Sequence, residues 1–138
     1  MKTNKTYRDW LKEYYPEPAQ KAAKISHSNN DGGLYAAKHS LKKWEGSRKK
    51  ELDEYNMFAN TTELFSNTHR QPIIDFWSGN CSLCQYTIKD NCQDCPGTMA
   101  NGYNCHNAYE SMQDTSSPRK MLHWLRKTVK YLESKQTK

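Results

Sequence analysis

"PRKMLHWLRKTVKYLESKQTK" closes the chain at residues 118–138, and its reading decides both the kind of fold and the place of the charge. Met121, Leu122, Leu125, Val129 and Leu132 recur at three- and four-residue spacing, which returns side chains to one face of an α-helix. Ser116 or Ser117 is placed to cap that helix. Pro118 suits its first turn, where a missing amide hydrogen does no harm. The segment holds seven basic residues, Arg119, Lys120, Arg126, Lys127, Lys130, Lys135 and Lys138, against one acid, Glu133. The whole chain has a net charge of +6, so the rest of it balances to zero and the basic character belongs to this one element.

Two readings of that element follow. The plain one is a terminal helix packed on a core, with its lysines solvated. The sharper one is a surface for phosphates or another anion, with Arg119, His123, Trp124, Arg126, Lys127 and Lys130 as candidate contacts. No base-reading signature accompanies it.

Moving towards the N-terminus, the chain is 138 residues long, the size of one domain, and unusually polar, with a mean hydropathy of -1.11. Ile, Leu, Val and Phe together number 17. So small an aliphatic share predicts a thin core that leans on nine Tyr and four Trp, and on a cross-link or a metal. "LYAAKHSLKKWEG" (34–46) is the clearest internal helix, with Leu34, Ala37, Leu41 and Trp44 on one face and Gly46 as its stop. Lys38, His39, Lys42 and Lys43 are expected to point away from that face. Ser47 is expected to cap a following helix, "RKKELDEYNMF". "TYRDWLKEYY" (6–15) reads as a short helix with Thr6 as its cap and Asp9 three residues on, ended by Pro16 and Pro18. "PAQKAAKIS" holds a helical turn or two, and "HSNNDGG" (27–33) reads as a loop. Gly32 and Gly33 offer a phosphate cradle only weakly, since no P-loop pattern surrounds them. "PIIDFW" (72–77) has some strand character.

All five cysteines fall within residues 80–106, in the spacing C-x2-C-x7-C-x2-C-x9-C-H at Cys81, Cys84, Cys92, Cys95, Cys105 and His106. Two Cys-x-x-Cys pairs aim thiolates at one ion, so the segment predicts a structural zinc site with Cys81, Cys84, Cys92, Cys95 and Cys105 as candidate ligands, and the spacing leaves open which four of the Cys/His cluster complete it. An iron–sulfur cluster is the alternative, since Cys95–Pro96 is similar to the end of ferredoxin ligand runs. Disulfides are the third possibility, although five cysteines leave one over. No apolar leader and no membrane-length apolar run is visible, which predicts a protein of the reducing cytoplasm. Deaminase, zincin, hydrolase and dinucleotide signatures are all missing, so a non-enzymatic role is expected.

The fold class predicted is mainly α: a small helical domain over 1–138 with a helical N-terminal part (1–59), an irregular zinc-knuckle-like insert (80–106) and a basic amphipathic C-terminal helix (116–138). With "YYPEPA", "AAKHSLKKWEG", "CSLC…CQDCP…G…C" and "RKML" in this order, the chain resembles a group of small phage and prophage proteins. The resemblance implies an accessory protein acting in the cytoplasm of an infected bacterium, in host takeover or counter-defence, and it transfers no catalytic residue. The expected function is binding of an anionic partner, nucleic acid or a nucleotide signal. The alternative is an inhibitor that docks on an acidic host protein, with exposed aromatics such as Tyr14 and Tyr15 as anchors. A metal-dependent enzyme ranks third.

Overall fold

The computed structural model describes residues 5–55, 58–60, 73–75, 82–87, 94–105, 108 and 118–136. Their elements run α1 (Tyr7–Tyr14), α2 (Ala19–Asn29), α3 (Leu34–Glu45), α4 (Lys49–Glu54), β1 (Phe58–Asn60), β2 (Ile73–Asp75), α5 (Ser82–Tyr86), α6 (Pro96–Asn101) and α7 (Arg119–Gln136). The domain is small and mainly helical, as the periodicity predicts. The strand character of "PIIDFW" is realised at Ile73–Asp75, which pairs in parallel with β1, Phe58 opposite Ile73. Helix α3 is the hub: α1, α2, α5 and α7 all pack against it, while α6 packs on α7.

The start of α1 follows from its local sequence. Thr6 accepts from the Asp9 amide through its hydroxyl, and the Asp9 carboxylate accepts from the Thr6 amide at 2.9 Å, which closes a capping box. Trp10, buried one turn later, donates its indole N–H to the Gly46 carbonyl at 3.0 Å and ties α1 to the end of α3.

Helix α2 is longer than the one or two turns expected. It runs three turns to Asn29, so the loop begins only at Asn30, whose φ of 52° ends the helix in the left-handed region. Its buried face is Ala19, Ala22, Ala23 and Ser26, a stripe at helical spacing made almost wholly of alanine. Alanine contributes little to a hydropathy pattern, yet it lets two backbones approach closely. Ala36 and Ala37 of α3, also buried, complete that alanine-lined packing between the helices.

The 30–33 turn is not read as a phosphate cradle, because the amide hydrogens at the start of α3 are already taken by a carboxylate of the chain itself. The Asp31 carboxylate accepts the amide hydrogens of Gly33 (2.9 Å), Leu34 (3.0 Å) and Tyr35 (3.0 Å), together with the Ser26 hydroxyl. A side chain of the protein thus occupies the anion position at the start of α3. Gly33 must be glycine here: its φ is 101°, and a Cβ would stand 2.8 Å from the Pro96 ring.

Two further expectations are corrected in α3. His39 and Lys43 do not point to solvent; both are buried. Nε2–H of His39 donates to the Glu17 carbonyl at 2.8 Å, and its Nδ1 lies 3.2 Å from the Ser82 hydroxyl. The Lys43 ammonium sits 5.3 Å from the centre of the Tyr15 ring, and the charge faces the ring's negative π-cloud. Ser47 does not cap the next helix; its hydroxyl donates back to the Trp44 carbonyl, and α4 begins after Arg48 with no side-chain cap.

The expected metal is also corrected. Among the described residues no three or more His, Cys, Asp or Glu side chains gather so as to hold an ion, which contradicts zinc and the iron–sulfur alternative alike. Cys84, Cys95 and Cys105 are described; Cys81, Cys92 and His106 lie outside the described residues. Cys95 is buried within the hydrophobic core and Cys105 packs against it, in the manner of small apolar side chains. The aromatic share of the core is as expected: Trp10, Trp44 and Trp124 are all buried within it.

Candidate anion-binding groove

Helix α7 forms as its pattern predicts. Met121, Leu122, Leu125, Val129 and Leu132 are all buried, and Trp124 and Thr128 extend the same face. Ser116 and Ser117, the expected caps, lie outside the described residues. Antiparallel packing on α3 is marked by two exposed ion pairs, Lys38 with Glu133 at 3.5 Å and Arg126 with Glu45 at 3.7 Å. Surface pairs of this length add little stability, but they mark which side of α7 borders α3.

Along that side runs an open groove of about 520 Å³, lined by Leu41 of α3 and by His123, Arg126, Val129, Lys127 and Lys130 of α7. The spacing explains the set. His123 and Lys127, like Arg126 and Lys130, are four residues apart and stack one above the other along the helix. Leu41 and Val129 form an apolar floor, against which the methylene stems of the cations can lie. His123, Arg126, Lys127 and Lys130 are all exposed at the rim. Lys127 and Lys130 form no ion pair with a described residue, so their charge is open to a ligand.

Of the six residues that the sequence nominates, four therefore line one groove: His123, Arg126, Lys127 and Lys130. Arg119 is exposed at the first turn of α7 but does not line it. Trp124 has a different task. It is 2% exposed, its ring lies over Gly97, and its indole N–H donates to the Tyr103 carbonyl at 3.0 Å. The residues that sequence reasoning missed are Leu41 and Val129 as floor, and Glu45 as the partner of Arg126. Leu41 and Val129 were legible only as core positions.

The aromatics expected to anchor a protein partner are committed to packing. Tyr14 contacts Trp10 and Tyr55. The hydroxyl of Tyr15 accepts from the Ala19 amide at 2.9 Å, and its ring meets that of His39 at 5.0 Å. A second open groove beside Tyr15 has mixed charge, with Arg8 and Lys12 opposed by Glu17.

No helix among the described residues is long and apolar enough to cross a membrane. Compared with known protein families, with curated proteins and with solved structures, the chain matches none.

Proposed function

We propose that the protein is a binding module whose α7 groove holds the phosphates of a nucleic acid or nucleotide. The observation that carries the reading is the gathering of His123, Arg126, Lys127 and Lys130 around one apolar floor. Three cationic side chains, Arg126, Lys127 and Lys130, with His123 beside them on one open face, suit an extended phosphate backbone, which needs positive charge along a line rather than an enclosed pocket. From residue 123 to residue 130 the helix advances roughly 10 Å, enough to meet two neighbouring phosphates. In the infected cell that the resemblance implies, the partner would be host or phage nucleic acid, or a nucleotide signal of a defence system.

The test is titration of fluorescent oligonucleotides with wild-type protein and with Arg126→Glu/Lys127→Glu, repeated across salt concentrations. The wild type is expected to bind with an affinity that falls as salt rises. The double variant should bind more weakly at every salt concentration, with a log–log salt slope shallower by about 2. Equal affinity and equal slope for the two proteins refute the reading. A pull-down from nuclease-treated lysate separates the competing class: a host protein retained by wild type and lost by the double variant points to a protein target.

A further inference from the structure

We infer that the ligand of the α7 groove is single-stranded nucleic acid, one of whose bases stacks on Tyr103. The inference rests on the reading of that groove as a phosphate site and adds the chemical class of what occupies it.

Most aromatic side chains described here are buried or packed against the core. Tyr103 is the exception: it is 52% exposed, and with Met99 it makes up the large exposed hydrophobics among the described residues. Yet its backbone is held firmly. The Tyr103 carbonyl accepts the indole N–H of Trp124 at 3.0 Å, and the Trp124 ring is wedged against Gly97, where a Cβ would approach to 1.9 Å. Just before it, the Asn101 amide group donates to the Gly97 carbonyl (2.8 Å), the Trp124 carbonyl (3.2 Å) and the Thr128 hydroxyl (3.1 Å). Gly102, with φ at 82°, then turns the chain outward. A solvent-facing phenol ring is thus carried on a backbone locked to α7 from within.

The neighbours of Trp124 one turn away on α7 are Lys120 and Lys127, both exposed. Lys127 also lines the groove. Lys127 thus belongs both to the groove and to the pair of exposed cations that flank Trp124, the residue whose indole holds the Tyr103 carbonyl. Charge beside an exposed aromatic is what unpaired nucleotides require: phosphates on the cations, a base face on the ring. A duplex offers the same phosphates but hides its base faces, so it gains nothing from Tyr103.

The experiment uses the full chain with a labelled oligothymidine and a duplex of equal length, at fixed salt. Wild type should prefer the single strand. Tyr103→Ala should weaken single-strand binding on the order of tenfold and leave the duplex unchanged, and Tyr103→Phe should restore the preference. Because Tyr103 is held through its backbone carbonyl, these variants keep the Trp124 hydrogen bond, and an unchanged melting curve checks this. Unaltered single-strand affinity in Tyr103→Ala overturns the inference. So does duplex binding as tight as single-strand binding in wild type. Arg126→Glu/Lys127→Glu should lose both ligands, and if it loses neither, the groove reading itself is what has failed.

Discussion

Replacing Asp31 with asparagine removes one charge and changes one atom, and it tests how the centre of the fold is held. In the native protein the Asp31 carboxylate accepts the Ser26 hydroxyl and the amide hydrogens of Gly33, Leu34 and Tyr35. Ser26, Gly33 and Leu34 converge on Oδ1, the Tyr35 amide is met by Oδ2, and the Asn29 side chain is a further hydrogen-bond partner of the carboxylate. The Asp31→Asn side chain would keep one oxygen for the first set and present an NH2 group to the Tyr35 amide. A backbone donor left without an acceptor costs about 1–3 kcal/mol. Loss of the negative charge at the start of α3 costs about 0.3–1 kcal/mol more. The expected loss is therefore about 1–4 kcal/mol at neutral pH, a substantial part of the roughly 5–15 kcal/mol that holds a domain together. Thermal unfolding should move down by about 3 °C for each kcal/mol in a chain of this size.

The pH dependence sharpens the test. Burial pushes the Asp31 carboxyl up, but the hydrogen bonds from Ser26, Tyr35 and Gly33 outweigh it and hold the group below its ordinary value. A depressed carboxyl contributes stability that is present above its unfolded value, near pH 4, and is lost as pH falls through the folded one. Urea unfolding followed by circular dichroism should show a constant gap between wild type and Asp31→Asn from pH 7 to 5. The gap should narrow below about pH 4. His39, held below its ordinary value chiefly by burial, contributes stability present above about pH 6.5 and lost on acidification. That loss is common to both proteins and cancels in the difference. A variant within about 0.5 kcal/mol of wild type at pH 7, the scatter of an ordinary surface substitution, would refute the reasoning. So would a gap that does not change with pH.

Two other substitutions probe the packing. Gly97→Ala places a Cβ 1.9 Å from the Trp124 ring, so α6 and α7 must separate or the indole must turn. Destabilisation of about 1–3 kcal/mol is expected, with a shift in Trp emission, and a neutral result in urea unfolding would show that the ring is not fixed there. Ser82→Ala removes a fully buried hydroxyl that donates to the Ala36 carbonyl at 2.6 Å and lies 2.8 Å from the Ser40 hydroxyl and 3.2 Å from His39 Nδ1. Those groups would lose a partner away from water, which should cost about 1–3 kcal/mol, and thermal unfolding unchanged within about a degree would count against it.

What could be read from residues alone is what neighbours in sequence decide. The capping box of Thr6 and Asp9, the extent of α3 and the buried stripe of α7 are all encoded at three- and four-residue spacing, so a linear pattern reveals them. The concentration of positive charge on α7 is equally a property of the string, and it singled out four side chains that share one groove. Helix α2 runs longer than its pattern predicts because an alanine stripe carries almost no hydropathy contrast, although packing against α3 and α5 rewards its small size.

Tertiary structure alone decided the roles that depend on partners far away in the chain. Sequence made Trp124 a ligand contact, and the fold buried it to fasten Tyr103; sequence sent His39 to solvent, and Glu17 and Ser82 enclosed it. The thiols were read as ligands from their spacing, whereas Cys95 takes its role from the hydrophobic side chains around it. The reason is the same in each case. Periodicity tells which face of a helix is apolar, but whether a polar or aromatic group is enclosed depends on a matching donor, acceptor or cavity supplied by another element, and no local pattern records that match.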